Sequence, residues 1–203
     1  MALKQIMTNK MLKEKLKSWN LILASNSPRR QNLLRQLGVQ FKVNVKPVEE
    51  IFPEKLSGHQ ISDYLSLLKA NEFNDDLRPN DLLITSDTIV WHHNNPLGKP
   101  TSLKHAVEML QSLSESTHEV ITSVCFTSKK KQKIFNDSTK VTFRKIKNDE
   151  IEFYINNFNP LDKAGAYGIQ DWIGQIGIKK IEGSFFNVMG FPLHLVYKNL
   201  LEF

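Results

Sequence analysis

Two long strand-like segments that follow each other closely constrain the fold of this chain more than any other feature. Residues 118–128 and 133–146 are rich in apolar and β-branched side chains, and the stretch "KKKQK" at 129–133 lies between them. Such a short connection joins antiparallel strands, because parallel strands need a long crossover. Helical patterns elsewhere alternate with further strands. The sequence therefore predicts a single α/β domain with a mixed, twisted sheet flanked by helices.

Apolar periodicity predicts the other elements. Where apolar residues alternate or run without interruption, strands are predicted at 21–25, 41–48, 81–93 and 174–183. Where apolar residues recur at intervals of three and four, helices are predicted at 7–18, 28–37, 57–74, 101–114, 148–158 and 192–203. Residues 162–170, which are rich in small side chains, are interpreted as a loop. Residues 1–19 are interpreted as a basic helical extension and residues 20–203 as the main domain.

The positive charge of the chain is concentrated in two places. The net charge is +6, and residues 1–19 hold five lysines and one glutamate, while residues 129–133 hold four lysines. A nucleic-acid-binding protein is one interpretation, but the clusters are not interleaved with aromatic side chains along a reading helix. Charge runs more often mark exposed segments. We therefore interpret both clusters as solvated surface and expect no nucleic-acid partner.

Composition and segment lengths exclude several other classes of protein. Cys125 is the single cysteine, which excludes an intramolecular disulfide framework and a zinc site built from cysteines. Its apolar neighbours in the sequence predict a buried, inert thiol. No apolar stretch approaches the length of a membrane span, and the N-terminus lacks the apolar core of a signal peptide. We therefore expect a cytoplasmic protein with no membrane partner.

The stretch "SNSPRR", which follows the first predicted strand, indicates an anion-binding helix start. Ser27 is a favourable N-cap and Pro28 suits the first helical position. Arg29 and Arg30 then lie in the first turn, where the helix dipole disfavours a cation by roughly 0.3–1 kcal/mol. A bound phosphate would compensate for this cost, with hydroxyl groups donated by Ser25 and Ser27. Solvated arginines are the alternative, and the stretch lacks the glycines and lysine of a P-loop.

Asp87 interrupts the predicted strand 81–93 between apolar neighbours. A carboxylate buried in a strand needs a metal, a cation or several hydrogen-bond donors as its partner. Lys99 in "LGKP" follows one hairpin later and could return close to Asp87, while the pair Glu49 and Glu50 follows another predicted strand. Carboxylates together with phosphate oxygens suit a hard cation such as Mg²⁺. A hydrogen-bonded aspartate without a catalytic function is the alternative.

Seven stretches of the sequence carry a family resemblance. In chain order they are "LASNSPRR", "TSDTIV", "LGKP", "THEVITSV", "KVTFRKI", "PLDKAGAYGIQ" and "IEGSFFNVMGFPL". Together they resemble the Maf family of nucleoside triphosphate pyrophosphatases. The resemblance implies a fold like that of inosine triphosphate pyrophosphatases and a cytosolic, metal-dependent enzyme. It also implies cleavage of a nucleoside triphosphate between its α and β phosphates, which gives the monophosphate and pyrophosphate.

The same resemblance implies roles for individual residues. Asp87 in "SDT" matches the family's catalytic acidic residue, usually described as a proton acceptor, and Glu50 matches an acidic position after the second strand. Both carboxylates are expected to hold the metal, which is expected to be Mg²⁺, with Mn²⁺ as the alternative. The residues expected to bind the phosphates of the substrate are Ser25, Ser27, Arg29, Arg30, Lys69 and Lys99. The match at Lys69, in "LLKANEF", is looser than the others.

Base specificity is implied by three further matches. Arg30, Thr88 and Gln170 match the branch of the family that acts on dTTP and UTP, whereas a related branch acts on 7-methyl-GTP. The Gln170 amide offers a donor and an acceptor, which can pair with the O4 and N3–H edge of uracil or thymine. Asp171 and Trp172 stand where a glycine is usual, and are expected to reshape the base pocket. The rank order of dTTP, UTP and modified pyrimidine nucleotides stays open.

Two alternative functions remain at this point. The nearer one is a pyrophosphatase that acts on inosine or xanthosine triphosphate, which a substrate panel would separate. The other is a non-catalytic protein that binds nucleic acid or a nucleotide, for instance as a regulator of cell division. Salt-sensitive nucleic-acid binding without metal-dependent product formation would indicate it. The sequence does not determine the oligomeric state, for which a homodimer is kept open.

Overall fold

A seven-stranded sheet forms the centre of the computed structural model, which describes residues 10–203. The strands are β1 (Asn20–Leu23), β2 (Lys42–Val43), β3 (Asp81–His92), β4 (Asn95–Leu97), β5 (Thr117–Thr127), β6 (Gln132–Phe143) and β7 (Ile178–Glu182). Their order is β2-β1-β3-β5-β6-β7, and β4 pairs with β3 outside that path. β1 is parallel to β2 and β3, whereas β3, β5, β6 and β7 are successive antiparallel neighbours. The predicted mixed sheet is confirmed.

Helices connect and cover these strands within the described chain. They are α1 (Lys10–Lys15), α2 (Pro28–Gln36), α3 (His59–Asn71), α4 (Leu103–Leu113), α5 (Asn148–Asn157), α6 (Trp172–Gly177), α7 (Phe185–Val188) and α8 (Leu193–Glu202), with a short 3₁₀ turn at Ala164–Ala166. The boundaries of α2 follow the sequence prediction. Ser27 Oγ accepts a hydrogen bond from the backbone of Arg30, and Gly38, with a φ of 74°, follows the helix end.

Apolar side chains on both faces of β3 explain why this strand is buried along nearly its whole length. Leu82 and Ile84 pack on one face with α1, α2 and α8, whereas Leu83 packs on the opposite face with α3. Around Val90, α4 and α5 contribute to the core at the far end of the strand. A strand buried on both faces is expected to be a continuous apolar run. The polar triplet at 86–88 in its middle therefore indicates a site.

The hairpin of β5 and β6 has the predicted antiparallel pairing, with Thr127 opposite Gln132 at its end. In the turn, the backbone N–H of Ser128 donates to the carbonyl of Lys131 over 2.8 Å. Lys129, Lys130 and Lys131 are exposed, as the interpretation as solvated surface predicts, whereas Lys133 is half-buried. Cys125 in β5 is fully buried, as predicted.

Three sequence predictions were wrong in detail. Residues 174–177 complete helix α6 and do not begin a strand. The sequence did not reveal this helix, because six residues are too few to display helical periodicity. The strand predicted at 41–48 is reduced to the two residues of β2, which lies at the edge of the sheet beside the four-residue β1. β4, which pairs with the end of β3, was not predicted as a strand.

The predicted helix at 7–18 is present as α1, and residues 7–9 lie outside the described part of the chain. Leu12 of α1 is buried in the apolar cluster that also contains Val196 of α8. The described part of the extension thus packs into the main core, and its division from the domain at residue 19 stays a prediction. Within residues 10–203, no helix combines the length and the hydropathy needed to cross a membrane.

Candidate active site

A cavity of about 630 Å³ lies where β1 ends and β3 continues. The pairing of the two strands stops at Leu23 and Ile84, so the middle of β3 borders the cavity instead of β1. In open α/β sheets, ligands usually bind beyond such strand ends. The cavity is lined by the ten residues to which the family resemblance gave a catalytic or binding role: Ser25, Ser27, Arg29, Arg30, Glu50, Lys69, Asp87, Thr88, Lys99 and Gln170. Glu49, Asp171 and Trp172 are not among its lining residues.

The loop between β1 and α2 forms one wall of the cavity. The backbone N–H of Ser27 donates to Ser25 Oγ over 3.2 Å, and Ser27 Oγ caps α2. In these contacts both hydroxyl oxygens act as acceptors, so their O–H groups are free to donate to a ligand. The loop and helix start therefore present hydroxyl donors to the cavity beside the positive end of the helix dipole, as suits an anion site.

The two arginines of the first helical turn have different surroundings. Arg29 lies at the rim, where its Nη1 is 3.4 Å from Asp162 Oδ2 in a partly exposed ion pair. Arg30 points inward and donates three hydrogen bonds: from Nε to the Gly190 carbonyl over 2.8 Å, from Nη1 to the Ser86 carbonyl over 2.9 Å, and from Nη2 to Thr88 Oγ1 over 2.9 Å. Arg30 therefore joins α2 to β3 and to the loop after α7.

Thr88 is the centre of a polar network on β3. Its hydroxyl accepts from Arg30 and lies 3.0 Å from the Thr122 hydroxyl, which in turn donates to the Asn187 carbonyl. A Cβ atom added to Gly190, whose φ is 96°, would lie 3.2 Å from the Thr88 hydroxyl oxygen. Glycine is therefore favoured there both by its backbone conformation and by the close approach of β3.

Lys69 of α3 connects two carboxylates in the cavity. Its Nζ is 2.6 Å from Asp87 Oδ1 and 2.8 Å from Glu50 Oε1. The Asp87 side chain is only 8% exposed, so the predicted need for a partner is met by a lysine. Lys99, which was expected near Asp87, lines the same cavity, and its charge acts on Glu50.

The two carboxyl groups differ in their electrostatics. Burial raises the pKa of Asp87 above its usual value, and the charges of Lys69 and Arg30 oppose this rise only in part. Burial also acts to raise the pKa of Glu50, but the charge and hydrogen bond of Lys69 outweigh it and lower the pKa overall. Asp87 is thus the more basic carboxylate, and Glu50 is the one more firmly ionised.

The wall formed by residues 162–170 contains polar groups that sequence reasoning did not assign. Lys163 is buried; its Nζ donates to the Asn159 carbonyl and to Asp162, and lies 3.5 Å from Asp171 Oδ2. A lysine at the start of a stretch of small residues was the available signal, but its burial depends on how that stretch packs. On the same wall, Gln170 Nε2 donates to Asp171 Oδ1 over 3.2 Å.

Comparison with known families gives this arrangement a context. The family model described as "Maf-like protein" matches residues 20–203. The chain belongs to the Maf family. The resemblance indicated by the seven sequence stretches is thereby confirmed, and the unmatched residues 1–19 are those interpreted as an extension.

Three similar Maf proteins carry the same name. A "dTTP/UTP pyrophosphatase" of Christiangramia forsetii is 56% identical over 192 residues, which cover 95% of this chain and 98% of the relative. Proteins of the same name from Flavobacterium psychrophilum and Bacteroides fragilis are 53% and 46% identical. Their alignments cover 95% and 92% of this chain, and 98% and 97% of the relatives.

The Maf fold of this chain is also similar to a solved structure, "The structure of the Staphylococcus aureus Ham1 protein". The TM-score is 0.50 with 14% sequence identity, and the match covers 89% of this chain and 99% of the other. At this identity the likeness concerns the fold. It agrees with the predicted class, a mixed sheet flanked by helices.

Two carboxylates of this Maf protein are available to a divalent metal. Glu50 and Asp87 both contact Lys69 Nζ, so their oxygens lie close together in the cavity. Within residues 10–203, no three His, Cys, Asp or Glu side chains form a cluster suited to a metal. Mg²⁺ is commonly bound by one or two carboxylates, while phosphate oxygens and water complete its coordination. The donor set therefore fits a hard cation that binds together with a phosphorylated ligand.

Proposed function

We propose that this protein is a metal-dependent nucleoside triphosphate pyrophosphatase that hydrolyses dTTP and UTP to the monophosphate and pyrophosphate. The observation that carries the proposal is the pair of carboxylates, Asp87 and Glu50, held by Lys69 beside a helix start rich in donors. The name shared by relatives with up to 56% identity supports the choice of substrates. A binding protein would not need a buried carboxylate of raised pKa beside a phosphate site.

Asp87 is proposed as the proton acceptor. Its carboxylate lies in the cavity on a rigid strand, and burial raises its pKa toward the range in which a general base works well. In this role Asp87 orients a water molecule toward the α phosphorus and accepts its proton. Lys69, which contacts the Asp87 carboxylate, fixes its position.

Glu50 and Asp87 are the residues that would hold the metal, Mg²⁺ or alternatively Mn²⁺. When bound, the metal would neutralise charge on the triphosphate oxygens and polarise the phosphoryl group. Glu50 suits this role because its lowered pKa keeps it ionised over the physiological range.

The cations and hydroxyl groups of the cavity are proposed to bind the β and γ phosphates, the part of the substrate that leaves as pyrophosphate. Arg29 and Lys99 are at the wall with Ser25 and Ser27. Arg30 was expected to share this role fully, but three of its five N–H groups bind protein acceptors. Its main contribution is therefore to hold the loop in place, with two N–H groups left for a phosphate.

Base recognition is proposed for Gln170, with Arg30 and Thr88 as supporting residues. Gln170 lies in the cavity wall, and its amide can pair with the polar edge of uracil or thymine. Arg30 and Thr88 are bonded to each other, so they shape the pocket as a unit.

We further infer that the protein acts in the cytoplasm on free nucleotides and not on nucleic acid. In the lysine-rich turn, Lys129 Nζ donates to the Asn74 carbonyl over 3.3 Å, and Lys131 lies 4.7 Å from the Phe203 ring centroid. These contacts support an ordinary solvated surface. Weak retention of DNA that does not change with salt concentration would agree with the absence of a nucleic-acid partner.

The oligomeric state is a separate question. Light scattering would measure whether the protein is a homodimer.

Product analysis tests the proposed function directly. The purified protein is incubated with TTP, UTP, CTP, GTP, 7-methyl-GTP and ITP, each with Mg²⁺, with Mn²⁺ and with chelator. The expected products are TMP or UMP with pyrophosphate, formed only when metal is present. Release of inorganic phosphate would contradict the cleavage position, and a preference for ITP or another purine nucleotide would contradict the base pocket. Absence of turnover with every substrate would contradict the enzyme assignment.

A further inference from the structure

The amide of Gln170 is held in one orientation by the residue that follows it. Its Nε2 donates to Asp171 Oδ1 over 3.2 Å. Its Oε1 is buried and has no hydrogen-bond partner among residues 10–203. A carboxylate oxygen only accepts hydrogen bonds, so the reverse orientation would place the amide oxygen against a second acceptor. Asp171 therefore leaves the carbonyl oxygen as the unpaired group of the Gln170 amide, on a residue that lines the cavity.

Asp171 is itself firmly positioned. The hydroxyl group of Tyr154, a fully buried residue, donates to Asp171 Oδ2 over 2.9 Å. The ammonium group of Lys163 lies 3.5 Å from the same oxygen. One carboxylate oxygen is thus held by α5 and by the wall of residues 162–170, and the other is left to orient Gln170.

The backbone at Gly168 makes room for this arrangement. A Cβ atom added there would lie 2.6 Å from Asp171 Oδ2 and 2.8 Å from Gln170 Nε2. Both distances are shorter than van der Waals contact allows; Nε2 is the donor to Asp171, and Oδ2 is the oxygen that accepts from Tyr154. A side chain at position 168 would therefore displace the Gln170 and Asp171 side chains from this pairing.

We propose that Asp171 is a positioning residue that makes Gln170 select bases with a donor at N3. This inference rests on the proposed function and concerns how the same site distinguishes uracil and thymine from cytosine. Uracil and thymine carry N3–H and O4, which match the free Oε1 and the second N–H of Nε2. Cytosine presents an acceptor at N3 and a donor at N4. Its N3 would therefore face the acceptor Oε1, and its N4 amino group would face the donor Nε2. A buried carbonyl oxygen without a hydrogen-bond donor is unfavourable. An N3–H group that donates to Gln170 Oε1 therefore raises the affinity for the nucleotide that carries it.

The substitution Asp171→Asn tests this directly. The asparagine amide can donate to Gln170 Oε1, which allows the Gln170 amide to turn over and accept cytosine. We expect the ratio of kcat/KM for UTP to that for CTP to fall by roughly tenfold or more, mainly through KM. Tyr154→Phe is the matched control, since it removes a hydrogen bond to the same carboxylate but leaves the contact with Gln170. Its ratio should equal that of the wild type.

The outcomes separate this inference from the proposed function. If the wild type prefers UTP and Asp171→Asn loses activity on UTP and CTP equally, Asp171 has only a structural role and the inference is overturned. The same conclusion follows if Tyr154→Phe changes the ratio as much as Asp171→Asn. If the wild type hydrolyses neither UTP nor dTTP, the proposed function fails, and the inference fails with it.

Discussion

Lys69 and Asp87 form an ion pair of 2.6 Å that joins α3 to the middle of β3. Their side chains are 16% and 8% exposed, so water screens the pair only weakly. Glu50, 44% exposed, completes the group from the more open side of the cavity. A single ammonium group thus contacts both carboxylates, and a change to any of the three alters the charge seen by the others.

Asp87→Asn should largely abolish hydrolysis while the fold is retained. The amide cannot accept a proton from water, so kcat is expected to fall by about 100-fold or more. Neutralising a buried carboxylate should leave the melting temperature close to that of the wild type. Product formation and thermal unfolding would be measured together, with the exposed Asp76→Asn as control. Near-normal turnover by the Asp87 variant would refute its catalytic role.

Lys69→Met should weaken catalysis and strengthen metal binding. Loss of a charged hydrogen-bond partner is expected to lower kcat/KM by about 10- to 100-fold. Without the ammonium group, the carboxylates of Glu50 and Asp87 attract a divalent cation more strongly. In the nucleotide-free protein, the upward shift of the melting temperature by Mn²⁺ should therefore exceed that of the wild type. A smaller shift would show that Lys69 does not compete with the metal.

Arg30→Lys and Arg29→Lys form a matched pair of variants at adjacent positions. The three hydrogen bonds of Arg30 need the forked geometry of its guanidinium group, which lysine cannot reproduce. We expect Arg30→Lys to lower the free energy of unfolding by about 1–3 kcal/mol. Arg29→Lys should change it by less than about 1 kcal/mol, because its ion pair is partly exposed. Denaturant unfolding would measure both, and equal losses would contradict the distinction.

His118 should make stability depend on pH. Burial, with a smaller effect of His92, lowers its pKa from 6.5 to about 3, and its Nε2 is hydrogen-bonded to the Tyr167 hydroxyl group. As the pH is lowered through 6.5, the histidine of the unfolded chain gains a proton that the folded protein does not accept. The free energy of unfolding therefore decreases as the pH decreases. From pH 7.5 to 5.5 this loss is about 1.4 kcal/mol.

His118→Gln removes the titrating group, and His59→Gln, at an exposed position at the start of α3, is its control. Unfolding in urea at several pH values should show a flatter dependence for the His118 variant only. An identical slope in the wild type and the His118 variant would exclude this histidine as the cause.

The positions of the site residues could be predicted because they follow from local patterns. The helix start at Ser27 and Pro28 has an N-cap signal, and Asp87 stands out as a polar residue in an apolar strand. Both are properties of a few consecutive residues. Family motifs then supplied Glu50 and Gln170, which have no strong local signal of their own.

The partners of these residues could not be predicted, because they come from distant parts of the chain. Lys69 reaches Asp87 only through the packing of α3 on the sheet. Arg30 was expected to resemble Arg29, yet its guanidinium group binds a carbonyl at Gly190. Sequence spacing places both arginines in the first helical turn, but only the tertiary structure decides which of them faces the interior.

The shared apolar cluster of α1 and α8 has a consequence for synthesis. Leu12 and Val196 are buried together, although nearly the whole described chain separates them. A ribosome releases α1 early, and the cluster that holds Leu12 stays incomplete until α8 has emerged. The sheet face that carries Leu82 and Ile84 is therefore completed last, whereas the β5–β6 hairpin can form from neighbouring residues beforehand.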